Sequence, residues 1–565
     1  MKIVIVGGVA GGASAAARIR RLDEQAEIVI FERGEHVSYS NCALPYYLGG
    51  AVGERERLVL MTPQSFQSRH NIQVRTESEV TAIHREEKCV TVRTAGGREY
   101  REPYDKLILA PGADPVLPRS IRGLERERVF TLRSVNDAGR IKDYMTAAKA
   151  ETAVVVGGGF IGIETAENLH AAGLRVSVVE GLEQILSPFD EDMVQLLHKE
   201  LTDNGVELYL SARVTEVTEQ GVRFTQGEME REIPADVVVM SVGVAPATAF
   251  ARDAGLAVND RGYLRVNHNY QTRDPDIYAV GDAVESYSRL GSRPGTLALA
   301  GPAQRQARAA ADHICGGLAP NRGYIGSSCL RVFGLSAAST GLNERAAKEL
   351  GIPCEIAFVL PPDKVSLLPG SSYLAFKLVF ELPTGRVLGA QAIGRGDAVR
   401  RVDTVAAVIS MGGTLEDLKE LELCYSPVYG TAKDVVNLAA MVGLNVLCDR
   451  MKQVHVSEVR GLVESGACII DVREPAEYAA GHLKGAVNIP LSQLRERMEE
   501  VPKDRPVYLH CRTSQRSYYA LCTLAGRGWR NLRNISGSFL GICLYEYYHD
   551  RADGREPIVT AYNFN

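Results

Sequence analysis

The chain has 565 residues, 45% of them apolar, a formal net charge of −5 and eleven scattered cysteines. At roughly 100–200 residues per domain, this length predicts three or four domains with real cores, and the small net charge without a long basic run argues against nucleic acid or an anionic membrane as partner. No stretch reaches the ~18 apolar residues of a membrane span, MKIVIVGG lacks the pattern of a signal peptide, and an odd set of cysteines without CxxC or zinc spacing predicts reduced thiols, no metal and a cytoplasmic protein.

In chain order, Lys2 to Glu32 reads as a strand (KIVIV), a glycine turn (GGVAGG), an alanine-rich helix, a second strand (EIVIF) and a terminal acid, Glu32. This is a βαβ unit, although Val9 stands where the middle glycine of GxGxxG belongs, with Gly7 and Gly12 at the outer positions. SYSNCALPYYLGG (Ser38 to Gly50) follows, with a single cysteine, Cys42; the next is Cys89. A lone thiol there can hold half of a mixed disulfide if a helix N-terminus or a cation lowers its pKa; otherwise it is a buried structural cysteine. YDKLILAPGADP (Tyr104 to Pro115) is a third apolar strand ending in a turn.

A second βαβ unit runs from Ala153 to Glu180 and carries a full GxGxxG at Gly157, Gly159 and Gly162. These glycines serve the tight turn, the approach to a pyrophosphate and helix–strand packing respectively, and the helix N-terminus faces the phosphates. Glu180 at the next strand end accepts hydrogen bonds from a ribose diol and repels a 2′-phosphate, which favours NADH over NADPH. ADVVVMSVGVAP (Ala235 to Pro246) and TRDPDIYAVGDA (Thr272 to Ala283) are further strands. Asp282 of the latter is placed to bond a ribityl chain, or else is an N-cap. From about Tyr324 the pattern becomes mixed, with a hairpin at Phe380 to Gly394, and MKQVHVSEVR near Arg450 marks a joint. Beyond it, IIDVREPAEYAAGHLKGAVNIP (Ile469 to Pro490) and VYLHCRTSQRS (Val507 to Ser517) place Cys511 in a loop entering a helix, where an anion nest with Arg512 and Arg516 stabilises a thiolate or persulfide. A phosphatase loop has similar geometry.

Taken together, GGVAGGASAAARIRRL, the single cysteine of SYSNCALPY, TRDPDIYAVGD, LAGPAQRQ and YSPVYGTAKD resemble the CoA-disulfide and persulfide reductases of the pyridine nucleotide–disulfide oxidoreductase family, and the C-terminal motifs resemble a rhodanese domain. The resemblance implies an α/β fold: two Rossmann-like domains, an α+β dimerisation domain and an α/β rhodanese domain. The expected boundaries are residues 1–112 and 248–323 for an FAD domain, 113–247 for NADH, 324–447 for dimerisation, 448–455 for a linker, 456–545 for rhodanese and 546–565 for a tail.

It further implies FAD at Gly7, Val9, Ala10, Gly11, Gly12, Glu32, Arg33, Asn41, Val80, Ala110, Gly112, Gly281, Asp282 and Ala300, and NADH at Gly157, Gly159, Phe160, Ile161, Gly162, Glu180 and Gly243. Coenzyme A contacts match at Ser14, Arg18, Arg21, Ser38, Asn41 and Lys433, and Arg512 and Arg516 are expected to bind substrate at the Cys511 loop. Cys42, Tyr425 and Cys511 are the expected catalytic residues, in a homodimer that brings Tyr425 to the other subunit's Cys42. Three departures stand out: Leu367 and Leu368 replace a tyrosine pair, His70 replaces a lysine, and Ser514 replaces a glycine of the rhodanese loop, with extra residues after Gly537. The expected activity is NADH-driven reduction of a CoA-linked disulfide or low-molecular-weight persulfide. An NADH oxidase, a sulfurtransferase with a redox-sensing flavin module and a non-catalytic redox sensor are the alternatives.

Overall fold

The structure, a computed structural model, describes residues 1–291, 294–318 and 322–564; the stretches expected as 248–323 and 546–565 thus include a few positions outside the described residues. The chain divides into two compact units, Met1–Glu183 with Tyr209–Tyr324, and Gln184–Leu208 with Ile325–Asn565.

The first unit is built on a parallel sheet in the order Ile277–Ala279, Lys106–Leu109, Lys2–Val6, Glu27–Phe31, Gln73–Arg75. Apart from the opening residues Lys2, Glu27 and Lys106 and the edge strand Gln73–Arg75, its strands are continuously apolar because both faces are covered. Ile3, Ile5, Ile28 and Ile30 point to one face, packed with Ala15, Ala16, Ala307, Ala310 and Ala311 of the helices Ala10–Leu22 and Ala300–Ile314. Val4, Val6, Val29 and Phe31 point to the other and meet Val80, Ile83, Val90 and Val92 of an antiparallel three-stranded sheet. Each fully buried valine, isoleucine or phenylalanine contributes about 1.5–3 kcal/mol of burial. A second parallel sheet, Arg175–Val179, Thr152–Val156, Val237–Met240 and Val129–Phe130, lies in the chain between the strands that end at Leu109 and begin at Ile277.

The second unit holds a five-stranded antiparallel sheet in the order Ser327–Val332, Leu335–Gly341, Val387–Gly394, Leu374–Glu381, Cys354–Val359, which includes the expected hairpin. Residues 184–208, expected with the NADH segment, group with this sheet. The reason is ionic: Lys377, fully buried, bonds Asp192 at 2.7 and 2.9 Å, Asp190 at 3.2 Å and Glu344 at 2.5 Å.

A parallel C-terminal sheet follows, in the order Gln453–Val454, Leu532–Ile535, Val507–His510, Cys468–Asp471, Val487–Asn488. Two Rossmann-like parallel sheets, an antiparallel sheet and this last one realise the expected α/β architecture. The stretch read as a tail is ordered into the fold. The helix Ser538–Ala552 continues past 545, and Ile558 and Val559 are buried against Leu483, with a bridge from Leu483 to Val559. Among the described residues no helix is long and apolar enough to cross a membrane.

Candidate functional site

At the carboxyl ends of the first sheet's strands opens a cleft of about 860 Å³. Gly7, Val9, Ala10, Gly11, Glu32, Arg33, Asn41, Val80, Ala110, Gly112, Gly281 and Asp282 all line it. Of the residues expected around FAD, Gly12 and Ala300 lie outside this lining. A Cβ on Gly12 would stand 1.8 Å from the Gly7 carbonyl oxygen, so Gly12 serves close helix packing; Ala300 is the exposed first residue of its helix. The Glu32 carboxylate is fixed by two backbone donors, Gly8 N at 2.8 Å and Gly34 N at 2.9 Å. Burial raises the pKa of Asp282, against the Arg133 guanidinium 3.9 Å away. Asn41 Oδ1 is buried in the cleft with no hydrogen-bond partner, an acceptor poised for a ligand.

The second glycine loop follows the first in outline but keeps a glycine, Gly159, where the first has Val9. Gly157 takes φ +110°, and a Cβ there would strike Ser241 O at 2.3 Å; on Gly162 it would strike Gly157 O at 2.0 Å. Gly159 differs: its φ is −74°, and no protein atom lies within 4 Å of the Cβ it lacks. Glu180 accepts from Gly158 N at 2.5 Å and Leu182 N at 2.8 Å, which sets its carboxylate at the strand end. Ile161, Leu182 and Val242 stand exposed beside the loop, and Phe160 and Gly243 share this edge.

Cys42 lies in the 3-10 turn Asn41–Ala43, just before the helix Leu44–Leu48, and is exposed. Its loop is seated on the helix Phe160–Ala171 of the second glycine loop: Tyr46 Oη donates to Glu164 at 3.3 Å, and Gly49 abuts Asn168. Of the two expected activators, a helix N-terminus follows at Leu44, whereas the charged groups acting on the thiol are carboxylates. Partial burial, together with the carboxylates of Glu164 and Asp282, raises the Cys42 pKa. Burial likewise raises that of Glu164. Glu164 was not singled out from the sequence, although an acid two positions after the last glycine of GFIGIE was the available signal.

Among the residues matched to coenzyme A, Ser38 adopts φ +50° and bonds its backbone to Gly8 and Leu60. Arg18 is paired with Asp312 at 2.5 Å, whereas Arg21 is exposed and Ser14 is partly exposed one helical turn away. The nearby Arg20 is buried and donates to five backbone carbonyls, including that of His70. In the second unit Tyr425 and Lys433 lie exposed in a loop braced by buried Arg401, which bonds Asp434 and the carbonyls of Asp363 and Tyr429. Leu367, 91% exposed, and Leu368 stand on the neighbouring loop, whose Val365 N reaches Pro427 O at 3.4 Å.

Cys511 follows the strand Val507–His510 and is buried beside a pocket of about 260 Å³ that it lines. Ser517 Oγ donates to its Sγ at 3.6 Å, and its N donates to Ser538 Oγ at 3.1 Å. Ser514 takes the left-handed φ of +73° that a glycine would hold without strain, and its Oγ is tied to Ile535 O and Ser538 Oγ. The positive charge expected here is partly cancelled: Arg516 pairs bidentately with Glu477 at 2.6 and 2.7 Å, and Arg512 Nη1 donates to Asn563 O at 3.0 Å. Behind the loop, burial works to raise the pKa of Asp471, but His510 and Arg473 overcome it and hold that carboxyl low.

Family profiles match three stretches of the chain: pyridine nucleotide-disulphide oxidoreductase at residues 1–307, the dimerisation domain of the same family at 328–434, and a rhodanese-like domain at 455–544. The chain is similar to a coenzyme A disulfide reductase of Staphylococcus epidermidis, 34% identical over 439 residues, which span 77% of this chain and 98% of that one. Among solved structures, the reduced Bacillus anthracis CoADR-RHD is 41% identical with a TM-score of 0.93, covering 97% of this chain and 98% of that one. A NAD-dependent persulfide reductase from A. fulgidus is 34% identical with a TM-score of 0.90, covering 95% and 99%.

Proposed function

Since the chain belongs to the pyridine nucleotide-disulphide oxidoreductases, we propose that it uses NADH and FAD to reduce a disulfide or persulfide of coenzyme A at Cys42, with Cys511 carrying sulfane sulfur. One observation carries this reading: the Cys42 turn joins the two dinucleotide sites, since Asn41 lines the first cleft while Tyr46 bonds the helix of the second glycine loop. The residues fit FAD, because the cleft gathers twelve of the positions expected around it and offers the orphaned acceptor of Asn41. FAD, when bound, supplies a two-electron relay from nicotinamide to sulfur.

The chain's own residues do the rest. Glu32 and Glu180 hold ribose diols, and Glu180 repels a 2′-phosphate. The Cys42 thiolate attacks a sulfur of the substrate, the substrate S–S bond breaks, and the displaced thiolate or hydrosulfide takes a proton. Two electrons then cleave the new Cys42 S–S bond, releasing the second thiol and restoring the thiolate. A persulfide thus consumes one NADH and one proton and yields one thiol and one sulfide. In a homodimer, supported by the exposed Leu367, Tyr425 and Val428 of the dimerisation domain, we place Tyr425 of the partner subunit beside Cys42 as proton donor. Eleven free cysteines suit a cytoplasmic setting.

The test is stoichiometric. Anaerobic turnover of CoA persulfide gives one sulfide per NADH, and Cys511→Ser slows it when thiosulfate must first load the enzyme. NADH loss that requires oxygen, without thiol or sulfide, points to the oxidase instead. Persulfide formation indifferent to NADH points to a sulfurtransferase with a sensing flavin.

A further inference from the structure

Apart from the FAD cleft, the first unit holds a pocket of about 290 Å³ lined by three arginines, Arg289, Arg305 and Arg322, and by no acid. Its frame is fixed by the backbone. Ser288 and Tyr324 form a bridge, Arg289 N donates to Tyr324 O at 2.9 Å, and Tyr324 N donates to Tyr287 O at 2.9 Å. Gly323 takes φ +76°, and a Cβ there would stand 2.4 Å from Tyr287 O, so the segment carrying Arg322 comes this close only through a glycine. Arg305 enters from the helix Ala300–Ile314. Arg305 and Arg322 are exposed, and neither has a carboxylate partner among the described residues. Ser286, in the same lining, is buried: its Oγ accepts from Gln306 Nε2 at 3.1 Å, and among the described residues its hydroxyl proton has no acceptor. Gln306 Oε1 accepts in turn, at 2.7 Å, from Gly281 N, in the turn that lines the FAD cleft.

Three like charges around one small pocket repel one another, and a doubly charged anion replaces that repulsion by attraction. Guanidinium forks match the oxygens of a tetrahedral oxyanion with paired N–H donors, and the Ser286 hydroxyl adds a neutral donor. We propose that this pocket is a binding site for a tetrahedral oxyanion, phosphate or a sulfur oxyanion such as thiosulfate, separate from the redox thiols and dependent on neither Cys42 nor Cys511. No bond is made or broken there. Its occupancy acts on the flavin site through a short relay. When Ser286 donates to the anion, its oxygen becomes a stronger acceptor for Gln306, which holds Gly281 N. The bound anion thus braces the turn that carries Asp282, and FAD is released more slowly.

The test is calorimetric titration of full-length, FAD-loaded Cys511→Ser protein, in which thiosulfate cannot load the rhodanese loop. Phosphate and thiosulfate are added separately at an ionic strength held constant with chloride. The expected result is an anion site whose affinity falls at least about tenfold in Arg305→Gln/Arg322→Gln and is unchanged in Arg21→Gln and in Arg512→Gln. Tighter phosphate assigns a phosphate group, tighter thiosulfate a sulfur oxyanion, and equal affinity the class as a whole. The better anion also slows FAD release, followed by flavin fluorescence, several-fold in the parent protein and not in the double variant. Should the double variant lose FAD or melt early, Arg305→Lys makes the same test, since it keeps the charge, loses the fork and lowers affinity several-fold. No binding of either anion, equal affinity in parent and folded double variant, or loss in Arg21→Gln or Arg512→Gln instead, overturns the site. Binding at Arg305 and Arg322 without slower FAD release overturns the relay through Gln306.

Discussion

Gly159→Ala separates a glycine kept for a ligand from one kept for packing. At Gly162 an added Cβ lies 2.0 Å from Gly157 O, well short of the 3.4 Å of ordinary contact, so loop or helix must move. Overpacking of this kind costs at least about 2 kcal/mol, which lowers the melting midpoint by roughly 4–8 °C for a domain of this size. At Gly159 the added methyl meets no protein atom, and φ −74° is open to alanine. The lost N-cap preference and the reduced freedom of the unfolded chain are each within about 1 kcal/mol and oppose one another. Gly159→Ala therefore melts near wild type and retains FAD. Its penalty falls on the dinucleotide whose pyrophosphate must approach that backbone: about 1–3 kcal/mol, or about five- to a hundred-and-fiftyfold in NADH affinity. Anaerobic rapid-mixing titration of flavin reduction against NADH concentration gives this affinity. Wild-type NADH affinity in Gly159→Ala, or destabilisation equal to that of Gly162→Ala, refutes the assignment of this loop to the nicotinamide dinucleotide.

Other outcomes follow from the same geometry. Glu180→Ala removes the carboxylate held by Gly158 N and Leu182 N, and its preference for NADH over NADPH, read from kcat/KM, falls at least about tenfold, or ~1.4 kcal/mol. Because burial and two carboxylates raise the Cys42 pKa, alkylation by iodoacetamide in FAD-loaded protein increases with pH into the alkaline range. Glu164→Gln deletes a negative charge, favours the thiolate and shifts that rise to lower pH, with several-fold faster alkylation at neutral pH; an unshifted profile refutes the coupling. Lys377→Met leaves the carboxylates of Asp190, Asp192 and Glu344 buried together, and denaturant unfolding should show a loss of about 3–5 kcal/mol.

The fold was legible because its signals are local. Apolar strands meeting glycine turns, and an acid at the next strand end, need only a short window of sequence. Cys42 and Cys511 stood out as candidates for the same reason, each inside a short motif, SYSNCALPYYLGG and VYLHCRTSQRS. What escaped are pairings across long separations. Glu164 meets the Cys42 loop through a fold that joins residues more than a hundred positions apart, and the thiol's surroundings among the described residues are acidic rather than cationic. Asp312 and Glu477 engage Arg18 and Arg516, which read as available charges in the sequence. Lys377 sits in LAFKLVFE, where alternation alone does not say that it is fully buried among carboxylates from another segment. The C-terminal stretch read as a tail from its polar residues, yet Ile558 and Val559 anchor it.

The most direct measurement is anaerobic NADH oxidation by FAD-loaded protein, wild type and Cys42→Ser, with CoA disulfide and CoA persulfide offered separately. Persulfide turnover with sulfide release by the wild type, lost in Cys42→Ser, is the expected result, with slower use of the disulfide where Leu367 and Leu368 stand in place of tyrosines. NADH oxidation that proceeds only with oxygen, or that survives intact in Cys42→Ser, would contradict a reductase working through this thiol.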